Sequence, residues 1–407
     1  MEKTLSLSHG EFRLVEPHVS RMSIPSYGEK ELEQMLQISG KDAGELRASS
    51  YLEYVGRGFP KWKRASLESM ELPPLDTKAS VKTEGGIHFR SMNSITGEDL
   101  SIINRLSFEG SDRKFVSMGD AFFNSGSVID VKRVDRTAAP VVITVEGDTP
   151  PIMSNLFVLD KQVELTVVIR NKTGSVFSLM NNRFFVDEGS SLNLLFINEA
   201  DADAFVLNNS YYLLSSNAQL NMFDVNLSGK VVVPSHVSRL NGDSAVSNNW
   251  ALYSATDSSV FDLSYKLIHS ARNTMGLIDG IGVLGGTARS VFRGTIDIDK
   301  GAKDSRSSEH SDALLLSKKA VSDAIPSLSV KENDVEASHA ATVGSIDQDA
   351  VYYLQNRGLT QDEAERLIVS GKFDPLIERI REVIGGGIDG GVRVAIIKRL
   401  GSFSCEN

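Results

Sequence analysis

Cysteine is almost absent from this 407-residue sequence, which contains only Cys405, close to its last residue. Internal disulfides and cysteine-based zinc or iron–sulfur sites each need more than one thiol. The sequence therefore excludes a disulfide framework and any metal centre built from its own thiolates. If the chain handles iron or sulfur, we expect a partner to supply the sulfur ligands.

Long apolar runs are also absent. No stretch of about 18 apolar residues is available to span a bilayer, and the first residues, MEKTLSLSHGEFRLVE, lack the apolar segment of a signal peptide. The 53 acidic residues outnumber the 43 basic ones, which argues against nucleic-acid or anionic-membrane partners because both require a concentrated basic surface. We therefore predict a cytoplasmic protein that binds neither nucleic acid nor membrane.

Common catalytic motifs are missing as well. There is no GxxxxGK[ST] phosphate loop and no HExxH helix, and GIGVLGG (280–286) lacks the strand–helix context of a dinucleotide fingerprint. The serines lie in polar corners without the strand–turn–helix elbow of a nucleophile. These absences favour a non-enzymatic scaffold or interaction protein over an enzyme.

The chain divides into four regions by its pattern of apolar residues. We predict an N-terminal helical region at 1–86, a β-rich core at 87–346, a C-terminal helical region at 347–384 and a Gly-rich linker and tail at 385–407. Within the C-terminal region, Thr360 and Glu363 have the spacing of a capping box, Gly358 is predicted to follow the helix before it, and Gly371 is predicted to end the helix after it.

The β-rich core has a weak internal repeat. The segments GSVFSL, SSLNLLF, NAQLNMF and DSSVFDL begin alike, and their first apolar residues, Val176, Leu192, Leu220 and Val260, are separated by 16, 28 and 40 residues. These values approximate multiples of about 14, as if each coil of about 28 residues contributed two strands. A sandwich or barrel is the alternative, but the tight Asn-Gly and Asp-Gly turns of hairpins are scarce, which favours a solenoid.

Three blocks of the sequence resemble the SufB/SufD family of the SUF iron–sulfur cluster assembly machinery. They are GGTARSVFRGTIDIDKGAKDSRSSEHSDALLLSKKA (285–320), PSLSVKENDVEASHAATVGSID (326–347) and VYYLQNRGLTQDEAERLIVSGKF (351–373). The segment GFPKWKRASLESMELP (58–73) is similar to a further family segment. The resemblance implies a mainly β fold, a right-handed parallel β-helix flanked by N-terminal and C-terminal α-helical regions.

The resemblance also implies partners. Family members pair through their β-helices, here with a SufB-like paralogue or with a second copy of the chain, and each C-terminal helical region docks a SufC-like ABC ATPase. The expected docking residues lie in 347–384, which also serves as a cap for the solenoid in the simpler interpretation. They are Tyr352, Tyr353, Leu354, Arg357, Gly358 and Leu367.

Within the family the chain resembles the SufD type. SufB-type chains carry a Cys where this sequence has Ser311 and a Glu where it has Ala340, while SufD-type chains often carry a Cys where it has Ala337. The family histidine is present as His339, the candidate metal-binding or interface residue. We expect no cluster to be held stably by this chain alone, and an iron–sulfur cluster to be present transiently at a subunit interface, with the thiolates supplied by the partner.

Two other interpretations remain open at this point. In the first, the chain is a homodimeric scaffold that itself carries a nascent cluster. In the second, it is an unrelated β-helix protein that acts on carbohydrates. Among the remaining candidates, His269 and His310 flank the first block and are interpreted as ordinary solvated residues, and Glu309 and Glu336 as surface charges.

Overall fold

The structure is a computed structural model that describes residues 2–7, 10–15, 25–60, 67, 70–106, 108–133, 139–385 and 394–395. The predicted linker and tail after residue 385, including Cys405, lie outside these residues apart from 394–395. Part of the segment 58–73 also lies outside them.

Helices occur near both ends of the described chain, and all elements are numbered in chain order. The helices are α1 Glu29–Gln37, α2 Lys41–Gly56, α3 Gly97–Arg105, α4 Arg113–Phe122, α5 Gln348–Gln355 and α6 Gln361–Ile384. An antiparallel hairpin near the N-terminus consists of β1 Glu2–Leu7 and β2 Gly10–Val15. None of the described helices combines the length and apolar character that a bilayer crossing requires.

The remaining strands of the described chain form two long sheets. The first sheet contains β3 Val81–Glu84, β6 Val141–Gly147, β8 Glu164–Thr173, β10 Ser191–Asn198, β12 Gln219–Asn226, β14 Val246–Ala255, β16 Met275–Leu284, β18 Arg306–Leu315 and β21 Glu336–Ser345, in that spatial order. The second contains β4 Phe89–Ser91, β5 Ser127–Val131, β7 Ile152–Leu159, β9 Phe177–Val186, β11 Phe205–Leu214, β13 Val231–Leu240, β15 Val260–His269, β17 Arg289–Ile298 and then both β19 Val321–Ala324 and β20 Ser327–Val330.

Successive strands from β5 to β19 alternate between the two sheets, and each strand pairs in parallel with the equivalent strand of the neighbouring coil. The predicted parallel β-solenoid is therefore confirmed. Leu192 pairs in register with Leu220, 28 residues further along the chain, so the repeat read from the sequence corresponds to one coil. Val260 begins a strand of the opposite sheet, where it pairs with Val231.

Three apolar clusters hold the two sheets and the helices together. The first fills the lumen between the two sheets and includes stacked rings, with the centroids of Phe157 and Phe184 4.5 Å apart and those of Phe184 and Tyr212 4.9 Å apart. The second joins α1–α4 to the outer face of the second sheet. The third joins α6 to the outer face of the first sheet. Aromatic stacking of this kind contributes about 0.5–1.5 kcal/mol per pair beyond area burial.

The helical regions differ from the predicted boundaries. Helices α3 and α4 lie inside the range 87–346 that was predicted as the β-helix core, and the hairpin β1–β2 lies in the range predicted as helical. Helix α4 has apolar residues at helical spacing, Phe115, Met118 and Phe122, but it is only ten residues long and lies within a β-rich stretch of sequence, and it was not predicted. Its residues pack between α2 and the second sheet.

The C-terminal helices confirm one local prediction and correct another. The Thr360 hydroxyl accepts a hydrogen bond from the Glu363 amide, and the Glu363 carboxylate accepts one from the Thr360 amide at 2.8 Å, as the capping box predicted. The predicted helix end at Gly371 is wrong, since α6 continues through Gly371 to Ile384. The buried stripe of α6 against the first sheet outweighs the poor helix propensity of glycine.

The lumen is filled tightly enough to give a sharp stability prediction. A Cβ built on Gly282 would overlap the buried Tyr253 ring, so Gly282→Ala is expected to lower the free energy of unfolding by about 1–3 kcal/mol. Gly371→Ala is the matched control, because no atom outside its own helix and its chain neighbours lies within 4 Å of a Cβ there. The control should raise stability by about 0.5–1 kcal/mol. Urea unfolding measures both, and equal effects would contradict this view of the lumen.

Candidate functional site at the open end of the solenoid

The solenoid ends in a coil whose outer edges are uncovered by any described strand. That coil consists of β21 on the first sheet and of β19 and β20 on the second. Leu328, Val330 and Val343 continue the lumenal rows of the two sheets, because they pair in register with residues of the lumenal core. They are nevertheless 38%, 43% and 43% exposed. The end of the lumen is therefore an open apolar mouth.

The last coil of the second sheet is interrupted at Pro326. The first part of β17 pairs with β19 and the last part with β20, while Arg293 and Gly294 between them pair only with Ser264 and Tyr265 of β15, on the other side of the strand. Proline lacks an amide N–H and cannot continue a ladder. The interruption lies beside the lumenal position Gly294.

His339 lies in the lumenal row of β21. It pairs in register with Glu309 of β18, which itself pairs with the core residue Ile278. In-register residues of parallel strands project from the same face of a sheet. The imidazole is exposed, since no described strand follows β21. Ala337 and Ala341 flank it in the same row, so small residues border the histidine as the sequence indicated.

Glu309, which lies next to His339 on the preceding strand of the sheet, is unusual because it is a buried acidic residue. Its side chain lies in the lumen, the residue is only 3% exposed, and Oε1 has no hydrogen-bond partner. The carboxyl group lies against Gly294 of the opposite sheet, where any Cβ would overlap it. Burial raises the pKa of Glu309 to about 7, partly opposed by the nearby charge of His310. The interpretation of Glu309 as a surface charge is therefore wrong, whereas Glu336 is exposed as expected.

The two positions at which the resemblance leads us to expect a Cys and a Glu in SufB-type chains lie on opposite faces of the first sheet. Ser311 is buried in the lumenal row, and its Oγ has no hydrogen-bond partner. Ala340 pairs with His310, whose side chain is on the outer face. A polar hydroxyl therefore occupies the lumenal position, and the outer position carries only a methyl group.

The other two histidine candidates have local structural partners. His269 is fully buried, its Nδ1 lies 2.7 Å from the Thr274 hydroxyl, and burial lowers its pKa to about 4, which keeps it neutral. His269 is thus not the solvated residue that the sequence suggested. His310 is exposed, with Nδ1 3.2 Å from an Asp279 carboxylate oxygen. Within the described residues, no group of three or more His, Cys, Asp and Glu side chains is arranged to hold a metal.

The predicted docking residues lie on and between the C-terminal helices. Tyr352, Tyr353 and Leu367 are 66%, 57% and 51% exposed, which is high for large apolar side chains. The Arg357 guanidinium donates to the Tyr353 hydroxyl at 3.0 Å and lies over its ring.

The other two docking candidates have structural roles. Leu354 packs partly into the apolar cluster beneath α6. Gly358 has a φ of +98°, which supports the tight turn between α5 and α6. Helix α6 is anchored to the first sheet by its buried stripe and by the Lys372 ammonium, which lies 2.5 Å from the Asp312 carboxylate.

Sequence reasoning missed the Glu309–Gly294 contact. The segment RSSEHSDA alternates polar residues on both faces, so no apolar period marks which of them are buried. The signal that could have revealed it is the register of the coils, because Glu309 lies one coil before His339 and therefore in the same lumenal row.

Comparison with known proteins adds evidence that is independent of this geometry. A family model described as "SUF system FeS cluster assembly, SufBD core domain" matches residues 143–372. The protein named iron–sulfur cluster assembly protein SufD of Bacillus subtilis is 39% identical over 115 residues, which is 28% of this chain and 26% of that protein.

Two further relatives carry the name of iron–sulfur cluster assembly SufBD family proteins. The one from Mycobacterium tuberculosis is 32% identical over 165 residues, 40% of this chain and 20% of the relative. The one from Staphylococcus saprophyticus is 28% identical over 168 residues, 41% of this chain and 36% of the relative. The matched stretches thus span between a fifth and about a third of the length of these relatives.

Proposed function

The chain belongs to the SufB/SufD family of the SUF iron–sulfur cluster assembly system, and from that membership we propose that it is a SufD-like scaffold subunit. In this proposal it pairs with a SufB-like chain through the open end of its solenoid and docks a SufC-like ATPase on its C-terminal helices. It performs no catalysis of its own. The nascent iron–sulfur cluster is its cargo.

The observation that carries the proposal is the open apolar mouth of the solenoid. Such folds need their ends covered, and exposed strand edges recruit further strands. Here both sheets end at the same place, with Leu328, Val330 and Val343 partly exposed. A partner of the same architecture offers two matching edges and an apolar lumen. This supports pairing end to end.

The side chains available to bind iron or sulfur support the SufD-like assignment. Thiolates bind iron and accept sulfur, whereas a serine hydroxyl stays protonated and does neither at neutral pH. The lumenal position that would carry the SufB-type thiolate is Ser311, and the sequence has no cysteine before Cys405. His339 is the residue at this end that offers an imidazole to a cluster whose thiolates come from the partner.

The C-terminal helices support the ATPase-docking part. Helix α6 uses one stripe to bind the first sheet, so it is held rigidly on the solenoid. Tyr352, Tyr353 and Leu367 remain exposed on α5 and α6. Exposed aromatic and aliphatic side chains on a rigid helical support are suited to anchor a partner.

Co-expression tests the proposal directly. The tagged full chain is expressed with a SufB-like chain and a SufC-like ATPase, and the purified material is analysed by size-exclusion chromatography. Co-elution of all three chains is the expected result. A stably folded chain that retains neither partner would overturn the proposal, and a cluster reconstituted anaerobically on the isolated chain would assign it a self-sufficient scaffold role instead.

A further inference from the structure

The lumenal row of the last two strands of the first sheet places a carboxylate residue next to a histidine. Strands β18 and β21 bring five lumenal pairs into register: Ser307 with Ala337, Glu309 with His339, Ser311 with Ala341, Ala313 with Val343 and Leu315 with Ser345. Neighbouring strands lie about 4.8 Å apart. A carboxylate and an imidazole therefore start from adjacent positions on the same face, at the mouth of the lumen.

The carboxyl of Glu309 lacks the partners that buried acids normally have. Glutamate is almost never fully buried unless it is paired, yet Oε1 of Glu309 has no hydrogen-bond partner and the residue is 3% exposed. A buried unsatisfied polar atom in a native fold calls for an explanation, such as a bound water or ion. The next residue of the row, Ser311, also has an unpartnered hydroxyl.

The fold makes room for this carboxyl on the opposite sheet. Gly294 faces Glu309 across the lumen, and a side chain there would overlap the carboxyl group. The ladder of the second sheet is interrupted beside Gly294 because of Pro326. The missing side chain at Gly294 thus leaves room for the Glu309 carboxyl on the opposite side of the lumen.

We propose that Glu309 and His339 together bind one first-row divalent metal ion, ferrous iron in the setting of the proposed function, at the open end of the lumen. Carboxylate oxygen and imidazole nitrogen are suitable donors for such ions. Water or donors of a paired chain complete the coordination. Glu309 is thereby a metal ligand in addition to His339, and only the choice of iron rests on the proposed function.

The chain provides its own controls for this site. His310 and Asp279 form a second imidazole–carboxylate pair, but on the exposed outer face, where Nδ1 lies 3.2 Å from the carboxylate oxygen. Glu336 is an exposed carboxylate on the same strand as His339, and it faces Arg306. Both controls change the same chemical groups without touching the lumenal row.

The test is an anaerobic titration of the purified full chain with ferrous ion, followed by equilibrium dialysis and metal analysis. Cobalt(II) replaces iron in a parallel titration because its visible absorption reports the ligand environment. The wild-type chain is expected to bind one ion. Glu309→Gln and His339→Ala should each weaken binding at least about tenfold and alter the cobalt spectrum, whereas Glu336→Gln and His310→Ala should leave both unchanged.

Each other outcome overturns the proposal. Loss of binding in His339→Ala but not in Glu309→Gln removes Glu309 as a ligand, and loss in His310→Ala alone places the ion on the outer face. A wild-type chain that binds no ion also overturns it. Co-purification of Glu309→Gln with the partner chains is measured separately. The proposal of a metal site and the proposed scaffold function can therefore be contradicted independently of each other.

Discussion

Replacing both Leu328 and Val330 with aspartate is expected to abolish pairing with the SufB-like chain and to leave the ATPase bound. Both side chains lie at the lumenal mouth and are partly exposed in the single chain, so new carboxylates there remain hydrated before pairing. In the paired state they would be buried without partners, which is strongly unfavourable. We expect the affinity to fall by more than about 100-fold, equivalent to roughly 3 kcal/mol.

The measurement is a pull-down followed by calorimetric titration, with circular dichroism to show that the variant is folded. The matched variant is Tyr353→Asp with Leu367→Asp, which changes two exposed residues of the C-terminal helices. It should lose the ATPase and retain the SufB-like chain. If either double variant loses both partners, or if Leu328→Asp with Val330→Asp still pairs normally, the assignment of separate surfaces is wrong.

The solenoid could be predicted from the sequence because its information is repeated locally. Leu192 and Leu220 occupy equivalent places in successive coils, and their 28-residue separation equals the observed register. The helices were harder to predict from the sequence. Helix α4 is a ten-residue segment within a β-rich stretch of sequence, and α6 continues through Gly371 because its buried stripe is stabilised by the first sheet.

The candidate site could be predicted only in part, for a related reason. His339 was recognisable from its motif and its small neighbours, and the structure places it on the final strand. The burial of Glu309 depends on Gly294 in the opposite sheet. No local pattern in RSSEHSDA encodes that contact. A charged residue in a polar segment looks solvated until the coil that covers it is known.

The same contact leads to a strong pH dependence of stability. Burial raises the pKa of Glu309 from its ordinary 4.5 to about 7. Between these values the unfolded chain has lost the proton while the folded chain still holds it, so the unfolded state binds fewer protons. The free energy of unfolding therefore falls as pH rises from about 4.5 to 7, and this group alone accounts for a loss of about 3 kcal/mol.

Glu309→Gln should remove that loss, because the amide has nearly the same shape and does not ionise. Compared with the wild-type chain in metal-free buffer, the variant is expected to be about 3 kcal/mol more stable at pH 8, with a much smaller difference near pH 4.5. Urea unfolding at several pH values gives both curves. Glu336→Gln, which removes an exposed carboxylate from β21, should run parallel to wild type throughout. Parallel curves for Glu309→Gln as well would show that the carboxyl is hydrated in solution, and that the lumen is open to water below the level of His339.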